Sequence, residues 1–327
     1  MKSVVPVVFA TDDNFAPYCA VSIASMIANC DPERPYRVYV FYDDLSPEHQ
    51  EKLSGMARGN VTVEMMQVTP FIDRELYYGT EQYPASVYYR FFVQDILTQY
   101  DKALYLDSDL VILSDVGALF DIDLGNHLLG AVLDFCNEAA YMDQLDYLKE
   151  VLDVTPENYY NSGVLSMNLG LLRKENTIEK CVDFLREHRN LRWMDQDVLN
   201  VVCRGRIQRL PGPWNSSYFS LERAFQKSGD VKDINIIHYI GRTKPAMKRF
   251  RQLHVYFYQY ILLTPYCDEL NARVFANNWP VELTRSQSMK NVKTLFARGV
   301  LGPRYLCKCC KLWLRGKWRR LRRKLRK

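Results

Sequence analysis

The sequence predicts an α/β fold with a mostly parallel central sheet flanked by helices. Short apolar strands alternate with helical segments along the N-terminal part of the chain, and acidic residues follow two of these strands. Such alternation requires crossover connections, which give parallel pairing and place ligands at the carboxyl ends of strands. The chain has 327 residues, 48% hydrophobic and 25% charged, which excludes a disordered or low-complexity protein.

The N-terminal elements follow from the positions of apolar runs, prolines and turn residues. The first strand is expected to begin after Pro6, because proline cannot donate a hydrogen bond to a central ladder. A helix should open at Pro47 with Ser46 as its N-cap. The predicted strands span 7–10, 36–41, 61–68 and 103–106, and the other predicted helices span 17–27 and 86–97.

Beyond about residue 125 the pattern is less regular, with neither an internal repeat nor a Gly/Ser linker. Apolar runs there predict further strands, and two segments with helical periodicity predict helices. The strands are 128–133, 163–167 and 234–240, and the helices lie near 177–187 and 195–203.

Hydropathy and cysteine usage indicate the compartment. No stretch approaches the ~18 consecutive apolar residues that a membrane-spanning helix needs. Asp12 and Asp13 interrupt the N-terminal apolar run, so we expect no signal peptide and a cytoplasmic protein. The nine cysteines are an odd number without regular spacing and should be reduced in that compartment.

The net charge of +5 divides between an acidic body and a basic tail. Residues 304–327 hold 12 of the 43 lysines and arginines and no acidic residue, so residues 1–303, with 31 basic and 38 acidic residues, carry −7. An apolar stripe at helical spacing in the tail is typical of an amphipathic helix on anionic lipid. The stripe disfavours the alternatives, a nucleic-acid-binding arm and a disordered solubilising tail. It consists of Cys310, Leu314, Trp318, Leu321 and Leu325.

An Asp-x-Asp motif, Asp107-Ser108-Asp109, follows a predicted buried strand. Residues i and i+2 of extended backbone project to the same side, so both carboxylates can face one cation. Their hard oxygen donors suit Mg²⁺ or Mn²⁺, which in turn bind phosphate oxygens. The alternative is a solvated acidic turn without a metal.

Two reaction classes use Asp-x-Asp after a strand, and one is the phosphatases of the haloacid-dehalogenase type. There Asp107 would attack phosphorus and Asp109 would be the acid. That class usually has the motif on its first strand, and three predicted strands precede it here. It also needs a later Gly-Asp-x-x-x-Asp, and residues 229–233 have the wrong spacing. We keep this class as the second hypothesis.

The other class is nucleotide-sugar transfer, and here several motifs agree. The chain resembles the retaining glycosyltransferases of family eight, which include bacterial lipooligosaccharide and lipopolysaccharide galactosyl- and glucosyltransferases and glycogenin. The resemblance runs from about residue 4 to 250 in the family's order. Its six motifs are residues 9–14, 88–90, 104–109, 160–165, 195–200 and 238–245.

The resemblance implies a nucleotide-binding fold of glycosyltransferase type A and a metal-dependent, retaining hexosyltransferase that uses Mn²⁺ or Mg²⁺. It would move galactose or glucose from a UDP-sugar to a hydroxyl of a cell-surface glycan or glycolipid. Residues 1–270 would form the catalytic domain, 271–303 a connector, and 304–327 a helical tail that holds the protein on the inner face of the cell membrane. No nucleic-acid partner is expected. An inactive adaptor on the same fold is the non-enzymatic alternative.

The first two motifs would bind the nucleotide. By resemblance, Asp12 and Asn14 would contact uracil or ribose, and Ala10 would let the backbone approach the base. The alternative is that the loop only caps the next helix. Arg90 would hold the nucleotide or donor sugar, although a structural ion pair to Asp12 or Asp107 also satisfies a buried guanidinium.

His238 ends an apolar run, so a core histidine is the default interpretation. By resemblance it is instead the third metal ligand, with Asp107 and Asp109. Ser108 would join the donor site, and Gly241 and Lys244 would lie along the diphosphate. The sequence departs from the family at Ala246, where tryptophan is frequent.

The remaining motif residues would, by resemblance, ring the transferred hexose: Asp134, Asn161, Asp195 and Gln196. Alternatively, Asp195 is the N-cap of a helix with Asp197 in its first turn; both interpretations can hold together. We assign Gln196 and Asp134 to catalysis. An amide is a poor nucleophile, so we favour a front-face mechanism in which a donor phosphate oxygen takes the acceptor proton. Gln196 would then stabilise the oxocarbenium-like transition state.

Overall fold

The computed structural model describes residues 2–79, 84–134, 142–228, 233–246 and 251–278. Ten strands lie in these ranges: β1 Val5–Ala10, β2 Tyr36–Tyr42, β3 Val61–Gln67, β4 Lys102–Leu106, β5 Leu110–Ile112, β6 Leu129–Leu133, β7 Tyr160–Asn168, β8 Ile207–Arg209, β9 Ser216–Ser217 and β10 Ile236–His238.

The α-helices in the same ranges flank these strands. They are α1 Ala16–Asn29, α2 Pro47–Ser54, α3 Val93–Ile96, α4 Val116–Phe120, α5 Met142–Glu150, α6 Leu169–Lys174, α7 Thr177–Glu187, α8 Met194–Val202, α9 Tyr218–Ser228, α10 Val255–Ile261 and α11 Cys267–Asn278. Short 3₁₀ helices include Ala85–Phe92, Gly212–Asn215 and Gly241–Thr243.

Seven strands form the main sheet in the order β3-β2-β1-β4-β7-β6-β8. Its pairings are parallel except at β7, which runs antiparallel to both β4 and β6. The predicted α/β fold with a mostly parallel sheet is therefore confirmed. A small second sheet has the order β5-β10-β9, with β10 antiparallel to β5 and parallel to β9.

The main sheet is covered by apolar side chains on both faces. All six residues of β1 are buried, which is expected of a central parallel strand. Val7 and Phe9 belong to the hydrophobic cluster on one face, and Val8 and Ala10 to the cluster on the other. This division follows from the alternation of side chains along a strand.

Several predicted boundaries were wrong for identifiable reasons. The first strand begins at Val5 and includes Pro6. The N–H of Val5 donates to the Pro35 carbonyl, on the β2 side, at 3.0 Å. The nitrogen of Pro6 therefore faces β4, and β4 pairs with β1 only from Val7 onward, so the missing N–H of Pro6 costs no ladder hydrogen bond. Ser46 does precede α2, but its side chain makes no capping hydrogen bond.

The predicted helix 86–97 is a 3₁₀ helix, Ala85–Phe92, followed by the short α3. Arg90 in this segment is held by the Val87 carbonyl at 2.9 Å and by Asp107 and Asp195, so tertiary contacts override the helical periodicity. The strand predicted at 234–240 is limited to Ile236–His238. The very short strands β5, β8 and β9 and the helices α4, α5, α6, α9, α10 and α11 were not predicted.

Helix α11 crosses residue 270, the end of the predicted catalytic domain, and Leu270 is buried in the core. The predicted tail, 304–327, lies outside the described residues. Within the part of the chain that is described, none of the helices is both long and apolar enough to cross a bilayer.

Candidate donor and metal site

The polar residues predicted from the sequence meet at one edge of the main sheet. Asp107 follows β4 and Asp134 follows β6, whereas Asn161 lies near the start of β7. Because β7 runs antiparallel to both neighbours, its first residues lie where β4 and β6 end. β1 ends at this edge too, since it pairs in parallel with β4. Residues far apart in sequence therefore share one site.

Two carboxylates and an imidazole form one corner of the site, which we call the metal corner: Asp107, Asp109 and His238. One ligand atom of each lies within 4.8 Å of the others. The Nε2 atom of His238 is 3.6 Å from Asp107 Oδ2 and 3.2 Å from Asp109 Oδ1. The small sheet fixes this arrangement, because Tyr239 N–H donates to the Asp109 carbonyl at 3.1 Å.

Gly163 in β7 makes room for the imidazole. A Cβ atom at this position would lie 2.7 Å from Asp107 Oδ2 and 2.9 Å from His238 Nδ1. Non-bonded carbon contacts are optimal at about 3.5–4.0 Å, so any side chain here would displace a ligand. The sequence motif contained this glycine, but the reason for it is visible only in the packing.

Lys244 places a positive charge at the metal corner. Its Nζ lies 2.7 Å from Asp109 Oδ2. Burial alone would raise the pKa of Asp109, but Lys244 and His238 outweigh burial and hold that pKa well below its usual value. An ionised carboxylate pair with an imidazole nitrogen is a donor set that suits a divalent cation. The residues therefore fit the divalent metal that the resemblance implied.

Arg90 connects the metal corner to the rest of the site. Its side chain is 3% exposed, with Nη2 2.8 Å from Asp107 Oδ1 and Nε 3.0 Å from Asp195 Oδ2. Nη1 donates to the Ser162 carbonyl, and the guanidinium carbon lies 4.3 Å from the centre of the Tyr105 ring. The ion pair to Asp107 was one of the predicted alternatives, and the pair to Asp195 was not predicted.

Three side chains next to this arginine form a closed polar group, which we call the amide cluster: Asp134, Asn161 and Gln196. The Nδ2 atom of Asn161 donates to Asp134 Oδ2 and to Gln196 Oε1, both at 3.0 Å. The Nε2 atom of Gln196 donates to Asp134 Oδ2 at 3.1 Å. All three are buried, so their positions are fixed by one another.

Asp195 lies between the amide cluster and Arg90. Burial raises the pKa of its carboxyl to about 7, although Arg90 opposes the increase. Ser162 Oγ donates to its Oδ2 at 2.9 Å. The carboxyl can therefore exchange a proton near neutral pH, unlike an ordinary aspartate.

The prediction that Asp195 is the N-cap of its helix was wrong. Helix α8 begins at Met194, whose φ is +46°, and Trp193 is the N-cap. The reason is Asp197, whose Oδ2 accepts the Trp193 N–H at 2.9 Å and the Tyr147 hydroxyl at 2.7 Å. Asp197 is in the first turn, as predicted, and it anchors the start of the helix.

The loop after β1 has a structural role of its own. Asp12 Oδ1 accepts the Phe15 N–H at 2.9 Å, which caps the start of α1. Burial raises the pKa of Asp12 despite this hydrogen bond. Ser108 Oγ donates to the Ala10 carbonyl at 2.6 Å, so its hydroxyl joins β1 to the Asp-x-Asp segment. Asn14 is exposed.

The loop that carries Lys244 is fixed at both ends. Gly241, at φ +57°, opens it in a conformation that favours glycine. His254 Nε2 contacts the Thr243 carbonyl at 2.9 Å, and Tyr18 donates to the Pro245 carbonyl at 2.6 Å. Ala246, where the family often has tryptophan, is buried with φ +62°.

The sequence reasoning missed Asn215. Its Oδ1 lies 2.9 Å from His238 Nδ1, and its Nδ2 donates to Asn161 Oδ1 at 2.8 Å. Asn215 therefore joins the metal corner to the amide cluster. It lies outside every recognised motif, and neither spacing nor periodicity indicated it.

An α/β fold with an Asp-x-Asp and histidine corner, a lysine beside it and a polar pocket at the same sheet edge is characteristic of the A-type, nucleotide-sugar-dependent glycosyltransferases. The model of the family "Glycosyl transferase family 8" matches residues 6–246. The chain belongs to this family, which confirms the predicted enzyme class and fold.

Relatives and solved structures agree with the assignment. The chain is 25% identical over 249 residues to the lipopolysaccharide 1,3-galactosyltransferase of Salmonella typhimurium, covering 73% of this chain and 72% of the relative. It is 28% identical over 247 residues to a lipopolysaccharide 1,2-glucosyltransferase of Escherichia coli, covering 72% and 70%. General stress protein A of Bacillus subtilis is 26% identical over 257 residues, with coverage of 73% and 86%.

Two solved structures share the fold. The apo form of the bifunctional glycosyltransferase WbbM matches with a TM-score of 0.71 at 27% identity, over 84% of this chain and about half, 52%, of WbbM. The galactosyltransferase LgtC, in complex with donor and acceptor sugar analogues, matches with a TM-score of 0.65 at 22% identity, over 91% of this chain and 100% of LgtC.

Proposed function

We propose that the protein is a metal-dependent, retaining hexosyltransferase. It transfers galactose or glucose from a UDP-sugar to a hydroxyl of a cell-surface glycan or glycolipid. The observation that carries the proposal is the convergence of the metal corner and the amide cluster at one sheet edge. One group can hold a diphosphate through a cation, and the other offers the dense hydrogen bonding that a sugar requires.

The metal corner would hold Mn²⁺, or Mg²⁺, through Asp107, Asp109 and His238. Bound there, the cation supplies Lewis-acid stabilisation of the departing nucleoside diphosphate. Lys244 adds a point charge for the diphosphate, and the positive φ of Gly241 exposes backbone beside it. Arg90 neutralises Asp107 from the protein side and so keeps the corner from carrying excess negative charge.

Residues around β1 would bind the nucleoside. Ala10 ends the strand, and Asp12 and Asn14 lie in the loop that follows. One oxygen of Asp12 is used to cap α1, so its second oxygen is the acceptor for uracil or ribose. Ser108 contributes by fixing the strand end against the Asp-x-Asp segment.

The amide cluster, together with Asp195, would bind the hexose. The mutual hydrogen bonds of Asn161, Gln196 and Asp134 support a fixed environment for the transition state. The Gln196 amide oxygen accepts from both Asn161 Nδ2 and Ser162 N–H, which disfavours a role as nucleophile. We therefore assign it to stabilising the oxocarbenium-like transition state, in a front-face reaction where a donor phosphate oxygen takes the acceptor proton.

The charge distribution supports a location on the inner face of the cell membrane. The basic tail at 304–327, with its apolar stripe, would bind anionic lipid while the acidic body stays in the cytoplasm. Residues 1–270 as catalytic domain and 271–303 as connector remain predictions.

The test is calorimetric titration with UDP, with and without Mn²⁺, followed by UDP-glucose and UDP-galactose. We expect binding that requires Mn²⁺, that is lost in Asp109→Asn, and that persists in the control Asp183→Asn, whose side chain is 71% exposed on α7. Failure to bind any uridine nucleotide under any metal condition would refute the proposal. Phosphatase activity would then test the haloacid-dehalogenase alternative.

A further inference from the structure

A continuous chain of side-chain hydrogen bonds runs from the metal corner to the amide cluster. It passes from His238 to Asn215 at 2.9 Å, from Asn215 to Asn161 at 2.8 Å, and from Asn161 to Asp134 at 3.0 Å. All four residues are buried, so water does not readily replace these contacts. The direction of each hydrogen bond can be worked out from fixed donors and acceptors.

The direction is set at Asn161. The Gly163 backbone N–H, which can only donate, lies 2.9 Å from Asn161 Oδ1. An ionised carboxylate can only accept, and Asp134 Oδ2 faces Asn161 Nδ2. These two neighbours fix which end of the Asn161 amide is oxygen, independently of how the other amides are oriented.

The rest follows in sequence. Asn161 Oδ1 is an acceptor, so the atom of Asn215 that faces it is the donor Nδ2. The other atom of the same amide, Oδ1, then faces His238 Nδ1 and must receive a hydrogen from it. In the neutral, metal-binding imidazole the proton is therefore on Nδ1 and the lone pair on Nε2; without a cation, Nε2 faces the acceptors Asp107 and Asp109 and can carry a second proton. A metal ligand needs that tautomer.

We propose that Asn215 is a positioning residue that fixes the metal-binding tautomer of His238 and couples the metal corner to the hexose pocket. The proposal rests on the proposed function, because it takes His238 as a metal ligand. The backbone position of Asn215 suits this positioning role. Asn215 ends the 3₁₀ helix Gly212–Asn215 and directly precedes β9, which pairs in parallel with the strand that carries His238. The amide is therefore held immediately before one strand and the imidazole on the neighbouring strand.

Two nearly isosteric substitutions of Asn215 test its hydrogen bonds to His238 and to Asn161 separately. Asn215→Leu removes both, so the affinity for Mn²⁺ should fall about 10–100-fold, as for other residues that orient a metal-bound histidine. Asn215→Asp keeps an acceptor for His238 but places an oxygen opposite Asn161 Oδ1. Its affinity for Mn²⁺ should stay within about threefold, whereas its preference for UDP-hexose over UDP should fall roughly three- to tenfold.

The presence of a hydrogen on Nδ1 and on Nε2 is read directly by ¹⁵N NMR of the metal-free protein. The chain has five histidines, and a His238→Gln spectrum assigns the signal. We expect a hydrogen on Nδ1 in the wild type and in Asn215→Asp, whether or not Nε2 is protonated as well, and a hydrogen on Nε2 alone in Asn215→Leu. Asn29→Leu is the control, because it removes a half-buried amide that donates to Ser25, Ile112 and Tyr260. It should change neither the ¹⁵N signal of His238 nor the affinity for Mn²⁺.

A hydrogen retained on Nδ1 together with unchanged Mn²⁺ affinity in Asn215→Leu would overturn the inference, as would a wild type in which Nε2 alone carries a hydrogen. If the leucine variant does not fold, Asn215→Ala serves for the same measurement. If the wild type itself binds no divalent cation, the proposed function fails instead. That failure is distinguishable, because the NMR signal still reports which nitrogen of His238 carries the proton.

Discussion

Substituting Gly163 by alanine tests the geometry of the metal corner with a single methyl group. The added Cβ would lie 2.7 Å from Asp107 Oδ2 and 2.9 Å from His238 Nδ1, where about 3.5 Å or more is needed. The carboxylate must therefore move by about 0.8 Å, and the ring, whose Cε1 lies even closer to the added atom, must move by more than about 0.6 Å. Their other neighbours restrict that movement, since Arg90 holds Asp107 and Asn215 holds His238.

We expect Gly163→Ala to lower the affinity for Mn²⁺ by tenfold or more and to destabilise the fold by about 1–3 kcal/mol, the usual cost of overpacking. For a domain of this size, each kcal/mol lowers Tm by about 2–4 °C. Calorimetric titration gives the first quantity and thermal unfolding the second. The double variant Gly163→Ala/His238→Ala should recover part of the lost Tm, because the displaced ring is gone.

Gly212→Ala is the matched control, because a Cβ there would meet no atom within 4 Å. It should leave Mn²⁺ affinity unchanged. If Gly163→Ala binds Mn²⁺ as tightly as the wild type and melts at the same temperature, the packing of β7 against the metal ligands is not as described, and the reasoning fails.

Three further outcomes are expected. Arg90→Met removes the guanidinium partner of the buried Asp195 and the half-buried Asp107 and should cost about 3–5 kcal/mol in urea unfolding, whereas Arg186→Met, at an exposed ion pair, should cost at most about 1 kcal/mol. Burial lowers the pKa of His254 from its ordinary 6.5 to about 4. The unfolded chain therefore takes up the proton first as pH falls, so the wild type should lose about 2 kcal/mol relative to His254→Gln between pH 8 and 5; a constant difference would contradict this. Truncation after residue 303 should abolish binding to anionic liposomes while transfer to a small soluble acceptor survives, and unchanged liposome binding would refute the predicted role of the tail.

Much of the fold was predictable, because the central strands are apolar runs between clear turn signals. α7 was predicted with its observed bounds, Thr177–Glu187, since its apolar stripe is regular. Of the small sheet, only β10 was predicted, as part of the apolar run 234–240. β5 has three residues and β9 has two, too few to show a period, and both exist because they pair with β10.

The candidate site likewise has residues that could be predicted from the sequence and residues that could not. Local motifs indicated Asp107, Asp109 and His238, and the structure brings them together. Two features were missed: the role of Asn215 and the pairing of Arg90 with Asp195. Both rest on contacts between residues at least 23 positions apart, which no local pattern encodes. Asp197 was correctly placed in the first turn of its helix, but its hydrogen bond to Trp193 N–H, which moves the helix start, was visible only in three dimensions.

The contact between Lys244 and Asp109 has a thermodynamic consequence. The ammonium already has a carboxylate partner at 2.7 Å, so a diphosphate must compete with Asp109 for it. When Lys244 turns to the diphosphate, the ionised Asp109 loses this counter-charge and becomes a stronger ligand for a cation. Under the proposed function, the nucleotide and the metal therefore bind cooperatively, and each raises the affinity of the other by the same factor. Lys244→Met should bind Mn²⁺ alone more tightly than the wild type, yet gain less from added UDP.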